Sequence, residues 1–243
     1  MCKHPAGTPI ANEGWFPTAT LATVGTVSVL YLVRHGQASF GTEDYDRLST
    51  RGKDQSHALG TYMMRAGTTP TRIVSGGMKR QRQTAQGLIE AAGWDTTPVV
   101  DPGWDEFNAS ELLDAYPEED PSAKTDSRAF QRLLEKASAR WASNNHDADY
   151  LESFSAFTQR IDTALDSAVE GLGSGQDAVV VSSSGAIAWA VARLVNGGFP
   201  QWLALNRVTV NSGVTKIVTG SSGKTMVTFN DHGHLPRSWV TYR

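Results

Sequence analysis

Four short polar segments of the chain each directly follow a stretch of apolar or β-branched residues. They are Arg34-His35-Gly36, residues 76–82 (GGMKRQR), Trp104-Asp105-Glu106 and residues 182–185 (SSSG). Arginine binds phosphate and other oxyanions bidentately, and backbone N–H groups at a helix start add partial positive charge. A phosphate monoester carries about −1.5 to −2 charge near neutral pH, which two arginines roughly neutralise. Brought together, these segments would suit a phosphate or another oxyanion.

Alternating strand and helix patterns indicate how the four segments are positioned. Apolar, β-branched runs predict buried strands, and apolar residues at three- and four-residue spacing predict amphipathic helices. This alternation predicts a three-layer α/β/α sandwich with a mostly parallel central sheet. In such sheets ligands bind beyond the carboxyl ends of the strands, where the four segments lie. The predicted strands cover 27–33, 71–75, 98–100 and 178–182, and the helices cover 52–66, 82–92 and 185–195.

The middle and the end of the chain differ from this pattern. Residues 105–172 hold an acidic, proline-containing patch, a charged helix over 128–141 and a long helix from about residue 151 with an apolar stripe. Two further strands, over 208–218 and 225–229, are joined by a glycine- and serine-rich hairpin loop. We therefore predict an N-terminal tail (1–26) and a single domain (27–243) with a helical insertion (105–172).

Composition excludes several classes of protein. The chain has 243 residues, 40% of them apolar, a formal charge of −3 and one cysteine, Cys2. A near-neutral balance argues against non-specific nucleic-acid binding, and a single cysteine excludes an intrachain disulfide and favours a reducing compartment. Residues 15–33 are uncharged, but Pro17, Gly25 and four threonines dilute them too much for a membrane span or a signal peptide. We expect a cytoplasmic protein that binds neither nucleic acid nor membrane.

Several ordered motifs resemble those of a known family. LVRHGQAS, at residues 32–39, is similar to the signature of the histidine phosphatase superfamily, which contains the cofactor-dependent phosphoglycerate mutases and many phosphatases. Residues 80–85 (RQRQTA) resemble its second motif, residues 48–60 its first helix, and residues 229–235 its last strand and the following turn. The resemblance runs from about residue 28 to the C-terminus and implies the same α/β fold. It also implies that residues 27–243 form a single catalytic domain in which residues 105–172 are the helical cap.

The resemblance also implies roles for individual residues. His35 resembles the nucleophile that accepts the phosphoryl group, and Arg34 and Arg80 resemble the phosphate clamp. Glu106 is the candidate general acid for the leaving alcohol and later the base for water, with Asp105 as its nearest rival. Phosphate-binding candidates further include Gln37, Ser183 and Ser184. No metal or cofactor is implied.

Less specific interpretations of the same residues remain open. Glu106 could be an ordinary acid of a surface or helix start, and Lys79 and Arg82 could be exposed charges of a helix start. His234, with His232 and Asp231 nearby, could be imagined as a metal site. Without further ligands at suitable spacing, a hydrogen-bonded structural histidine is the favoured interpretation of His234.

One position departs from the family pattern. The family has a second histidine in a Ser-His-Gly-Gly-like turn after a late strand, whereas this chain has three serines before Gly185. Aligning Gly185-Ala186-Ile187 with the family places Ser183 at the histidine position, and a shift by one residue selects Ser184. Serine keeps a neutral donor but loses any charge, a loss of about 1–3 kcal/mol of transition-state stabilisation. We expect slower catalysis rather than none, and His232 is a candidate replacement.

The motifs lead to three functional hypotheses. The first is a metal-independent phosphomonoesterase acting through phospho-His35 on a small phosphorylated substrate or a phosphoprotein. The second is a weakly active or inactive phosphate-ligand-binding or interaction protein of the same fold, suggested by the missing histidine. Phosphoglycerate mutase activity is the least supported, because Gly41 replaces an asparagine of the mutases and Phe107-Asn108-Ala109 follows Glu106 in place of their substrate-binding stretch. A homodimer remains open.

Overall fold

Six strands form one mixed sheet in the described part of the chain. The computed structural model describes residues 27–39 and 44–242, so the predicted tail, Cys2 and Gly41 lie outside it. The sheet order is β3-β2-β4-β1-β5-β6. The first four strands in this order are mutually parallel, β5 runs antiparallel to β1, and β6 runs antiparallel to β5. The α/β prediction is confirmed. The strands are β1 (Ser28–Arg34), β2 (Pro70–Ser75), β3 (Val99–Val100), β4 (Asp177–Ser182), β5 (Val214–Gly220) and β6 (Gly223–Asp231).

Helices cover both faces of this sheet. Successive strand residues point to opposite faces, so Leu30 and Leu32 join one apolar cluster while Val33 joins the other. The first cluster includes α5 and α6, and the second includes α1 and α2. Within the described residues, no helix is long and apolar enough to cross a bilayer. The helices are α1 (Thr50–Arg65), α2 (Lys79–Ala92), α3 (Ala109–Asp114), α4 (Ser127–Trp141), α5 (Phe154–Val169), α6 (Ser184–Leu194) and α7 (Phe199–Val208).

An aromatic cluster connects residues 105–172 with the sheet. Trp141 of α4 lies 5.0 Å from Phe154 of α5 and 6.4 Å from Trp202 of α7, measured between ring centroids. Phe107 packs against the same rings. The segment predicted as a cap thus shares its core with the helices on the sheet, and its boundaries as a separate unit stay a prediction.

The start of β5 and the start of α2 differ from the sequence prediction. The strand predicted over 208–218 begins only at Val214, because Val208 ends α7, a helix that the sequence analysis missed. Pro200 lies in the first turn of α7, where its missing N–H has no consequence. Residues 209–213 form a turn in which Ser212 adopts a positive φ of 59°. α2 begins at Lys79 rather than at residue 82, which puts Arg80 in its first turn.

Replacing Leu88 by alanine tests the layer formed by α1 and α2. Leu88 is 0% exposed, so its truncation leaves a cavity and lowers the free energy of unfolding by about 2–5 kcal/mol. The matched control is Leu151→Ala at a side chain that is 94% exposed, where the expected change is within about 0.5 kcal/mol. Urea denaturation measures both. Equal effects would contradict this assignment of the core.

Candidate active site

Backbone hydrogen bonds align the ends of neighbouring strands at one edge of the sheet. Arg34, the last residue of β1, pairs with Ser182 of β4, and the His35 N–H donates to the Ser182 carbonyl at 2.8 Å. The Gly76 N–H donates to the Val181 carbonyl at 3.0 Å, which ties the segment after β2 to the same strand. The four polar segments found in the sequence therefore meet at this edge.

His35 is held as a neutral imidazole with a defined tautomer. Its Nδ1 lies 2.7 Å from the Gly36 carbonyl oxygen, which can only accept, so Nδ1 carries the hydrogen and Nε2 carries a lone pair. The Arg80 Nε donates to Nε2 at 3.1 Å. Burial and then the charges of Arg80 and Arg34 hold the pKa of His35 well below its ordinary value, because each disfavours the protonated ring.

The backbone around His35 is hydrogen-bonded from several elements. The Asn211 side-chain amide donates to the His35 carbonyl at 3.2 Å, and the Ser212 N–H donates to the Arg34 carbonyl at 3.0 Å. The Gly36 N–H donates to Thr84 Oγ1 at 3.0 Å. These contacts come from the turn before β5 and from α2, so the loop that carries the imidazole is fixed by tertiary contacts on two sides.

Both arginines are buried and hydrogen-bonded. Arg34 donates from two guanidinium nitrogens to the carbonyls of Thr209 and Tyr242, and its Nε is buried without a partner. Burial lowers the pKa of Arg34 to about 10, so it remains charged at neutral pH. Arg80 donates to Asp46 Oδ1 at 2.6 Å. A buried donor without an acceptor, such as Arg34 Nε, marks a place where a ligand atom would fit.

Two carboxylates follow the short 3-10 turn after β3. Glu106 accepts from the Gly185 N–H at 2.8 Å, and Trp202 Nε1 donates to the Gly185 carbonyl at 2.9 Å. Burial raises the pKa of Glu106, more than the nearby hydrogen bonds and arginines lower it. Asp105 accepts from the Gly77 N–H at 2.5 Å, and burial raises its pKa too. Glu106 thus contacts the start of α6, whereas Asp105 contacts the loop after β2.

The two candidate serines have different surroundings. Ser183 is 1% exposed, and its Oγ accepts from Gln81 Nε2 at 2.9 Å. The Ser184 hydroxyl faces Glu106 at 3.5 Å. Gln37, also a candidate, accepts through Oε1 from the Ser49 hydroxyl at 2.9 Å. Ser183 therefore lies next to the helix that carries Arg80, and Ser184 lies next to the carboxylate.

The two histidines near the C-terminus each have a hydrogen-bond partner. His234 Nε2 is 2.9 Å from the Ser212 hydroxyl, so it is hydrogen-bonded as predicted, and burial lowers its pKa to about 4. The His232 Nδ1 is 2.7 Å from the Asn230 carbonyl. Among residues 27–39 and 44–242, no three histidine, cysteine or acidic side chains are close enough to share a metal ion.

Several residues at this site escaped sequence reasoning. Asp46 pairs with Arg80, Gln81 contacts Ser183, and Asn211 holds the His35 carbonyl. Arg160 of α5 donates to the carbonyls of Gly103 and Asp105 at 3.0 and 2.9 Å, fixing the loop that carries both acids. Of these residues, only Gln81 could have been found from the sequence, because it follows Arg80 directly. The contacts of Asp46, Asn211 and Arg160 join segments that are distant in the chain.

Removing the Arg80 charge should raise the pKa of His35. The guanidinium stands beside the ring and disfavours its protonated form, so Arg80→Gln moves the pKa upward, toward the ordinary histidine value. Heteronuclear NMR of the imidazole nitrogens during a pH titration measures this change. Arg82→Gln, at an exposed position of the same helix, is the matched control and should leave the His35 pKa unchanged. An unchanged value in Arg80→Gln would contradict the described geometry.

Comparison with known proteins identifies a family that this chain matches. The profile of the histidine phosphatase superfamily (branch 1) matches residues 30–232. Human 6-phosphofructo-2-kinase/fructose-2,6-bisphosphatase 1 is 30% identical over 96 residues, which cover 37% of this chain and 20% of that protein. The chain thus aligns with about a fifth of the length of this curated relative.

Solved structures share the fold at lower identity. Phosphoglycerate mutase from Bacillus anthracis superposes with a TM-score of 0.61 at 18% identity, covering 86% of this chain and 96% of that one. A phosphoserine phosphatase mutant from Entamoeba histolytica superposes with a TM-score of 0.60 at 17% identity, covering 86% and 100%. Because the family profile spans most of the sequence, the chain belongs to the histidine phosphatase superfamily.

Proposed function

We propose that this protein is a phosphomonoesterase that forms a phosphohistidine on His35 Nε2. The observation that carries the proposal is the hydrogen bond from His35 Nδ1 to the Gly36 carbonyl at 2.7 Å. It leaves the lone pair on Nε2, on the side of the ring that Arg80 contacts. A neutral imidazole oriented in this way is a nucleophile, and the adjacent guanidinium is suited to bind the group that it attacks.

The arginines supply the charge that phosphoryl transfer requires. Arg80 Nε donates to the His35 lone pair in the structure, so a bound phosphoryl group has to draw this guanidinium onto its own oxygens before Nε2 can attack. Arg34 donates from two nitrogens to backbone carbonyls, and its unpartnered Nε is the nitrogen left to donate to the phosphoryl group. As the Nε2–P bond forms and the P–O bond breaks, both charges stabilise the equatorial oxygens.

Glu106 is the proposed general acid. Its raised pKa extends the protonated form to higher pH than in an ordinary glutamate, so it can give its proton to the leaving alkoxide. In the second step it takes a proton from the water that attacks phosphorus. The Nε2–P bond breaks, and inorganic phosphate leaves the neutral imidazole. Glu106 interacts with the charges of both Arg34 and Arg80, whereas Asp105 interacts with Arg160 and Arg80, which favours Glu106.

The substrate is a small phosphorylated molecule or a phosphoprotein, hydrolysed without a metal or another cofactor. A serine, Ser183 or Ser184, in place of the second histidine supports the competing function, a protein that binds phosphorylated ligands with little or no turnover. The two are distinguished by the phosphoenzyme. Only the phosphatase acquires a covalent phosphoryl group on His35.

Replacing His35 by alanine should abolish hydrolysis. With an aryl phosphate in chelator-treated buffer, we expect the rate to fall by at least about 10³-fold, because the attacking nitrogen is gone. An alkaline quench after mixing with ³²P-labelled substrate should trap label on the wild type but not on His35→Ala. His57→Ala, at an exposed histidine of α1, is the control and should keep full activity. Vanadate binding without any trapped label in the wild type would favour the competing function.

Replacing Glu106 by glutamine should affect poor leaving groups most. We expect the rate of phosphoenzyme formation, measured by rapid alkaline quench, to fall by about 10²- to 10⁴-fold with an alkyl phosphate and by much less with p-nitrophenyl phosphate, whose leaving group needs no proton. Wild-type activity should fall as pH rises through the raised pKa of Glu106, because the acid form is lost, and this decline should be absent in Glu106→Gln. If Asp105→Asn shows this behaviour and Glu106→Gln does not, the acid is Asp105.

A further inference from the structure

Ser183, one of the two serines that can occupy the position of the second histidine, is buried next to the end of β4. Ser183 follows directly on Ser182, whose carbonyl accepts from the His35 N–H at 2.8 Å. It is 1% exposed and precedes α6 as its N-cap residue, yet its hydroxyl makes no capping hydrogen bond. A serine at an N-cap ordinarily accepts from the helix backbone, so the hydroxyl is held in another orientation.

The side chain that holds this hydroxyl is Gln81, which is 0% exposed. Its Oε1 accepts from the Met78 N–H at 3.1 Å. Its Nε2 donates to the Trp104 carbonyl at 3.1 Å and to Ser183 Oγ at 2.9 Å. Both amide hydrogens and the carbonyl oxygen are therefore engaged. A flipped amide would place Nε2 against the Met78 N–H and Oε1 against the Trp104 carbonyl, so these two backbone contacts fix the orientation in which Nε2 faces Ser183.

This contact determines the direction in which Ser183 can donate. Because Gln81 donates, the Ser183 oxygen is the acceptor and its own hydrogen is left for another group. Within the described residues, the structure shows no hydrogen bond that the Ser183 hydroxyl donates. The neighbours differ, since the Ser182 hydroxyl donates to the Trp104 carbonyl at 2.6 Å and the Ser184 hydroxyl faces Glu106.

We propose that Gln81 is a positioning residue, which fixes the Ser183 hydroxyl as a hydrogen-bond donor to the phosphoryl group transferred to His35. The Gln81–Ser183 pair would then take the place of the imidazole donor found elsewhere in the family. A hydroxyl that already accepts a hydrogen bond is polarised and donates more strongly, and its orientation needs no rearrangement when the phosphoryl group arrives. This inference rests on the proposed phosphatase function and concerns the same site.

A double-mutant cycle tests the proposal with wild type, Ser183→Ala, Gln81→Met and the double variant. Methionine keeps the length of glutamine but cannot donate. We expect Ser183→Ala to lower kcat for p-nitrophenyl phosphate by about 10- to 100-fold and Gln81→Met by about 10-fold. In the Ser183→Ala background, Gln81→Met should lower kcat by less than about 2-fold, because the hydroxyl that it orients is absent.

Stability measurements separate positioning from support of the fold. Thermal unfolding of all four proteins reports the structural effect, and Ser138→Ala is the control for losing a buried serine hydroxyl far from the site. It should keep the wild-type kcat. If Gln81→Met does not fold, Gln81→Asn replaces it, since its shorter amide withdraws from Ser183. A loss from Gln81→Met that is equal in both backgrounds, or an unchanged kcat in Ser183→Ala, would overturn the proposal.

The same cycle on orthovanadate affinity keeps the two proposals distinguishable. Vanadate occupies the phosphoryl position without turnover, so its Kd should show the same non-additive pattern. A wild type that binds vanadate but forms no phosphoenzyme refutes the proposed phosphatase, while coupling in the vanadate Kd still supports the Gln81–Ser183 pair. Additive effects on the vanadate Kd refute the pair even where the wild type is an active phosphatase.

Discussion

Two guanidinium charges are buried beside one imidazole, and a buried charge destabilises a fold unless hydrogen bonds compensate it. Arg34 meets this requirement with the carbonyls of Thr209 and Tyr242, so the end of α7 and the C-terminal segment are tied to the end of β1. Arg80 meets it with Asp46 and with His35. Burial, and then these same two charges, lower the pKa of His35 and keep it neutral, which is the state that a nucleophilic nitrogen requires.

Opposing effects act on the pKa of the buried carboxyl group of Glu106. The positive charges of Arg34 and Arg80 favour an ionised Glu106, and so does the Gly185 N–H, but loss of solvation outweighs them and raises the pKa. Trp202 contributes at a distance, since its indole holds the Gly185 carbonyl and α7 thereby fixes the start of α6. A carboxyl group with a raised pKa and two guanidinium charges therefore lie in the same site.

The net charge of −3 gives no indication of this concentration of positive charge. Lys79 and Arg80 are neighbours in the chain, yet Lys79 pairs with Asp44 at the surface while Arg80 turns toward His35. The helical turn separates their directions, because adjacent residues of a helix face different sides. Positive charge can thus be concentrated at one site of a protein whose net charge is negative.

Local pattern alone determined most of the elements and the membership of the polar segments in one site. Apolar runs end at Arg34 and Ser182 because strands buried on both faces exclude polar residues, and parallel strands bring their ends to one edge. The hairpin between β5 and β6 was predicted from the glycine- and serine-rich loop that joins two strand-like segments. Helix α7 was not predicted, because Val208 and the residues after it have the pattern of a strand. In the structure Val208 ends α7, and the turn around Ser212 that follows holds the His35 loop.

The choice of hydrogen-bond partners was decided only by the tertiary structure. Gln81 with Ser183 and Asp46 with Arg80 join segments far apart in the chain, and only packing brings the atoms of such a hydrogen bond within reach.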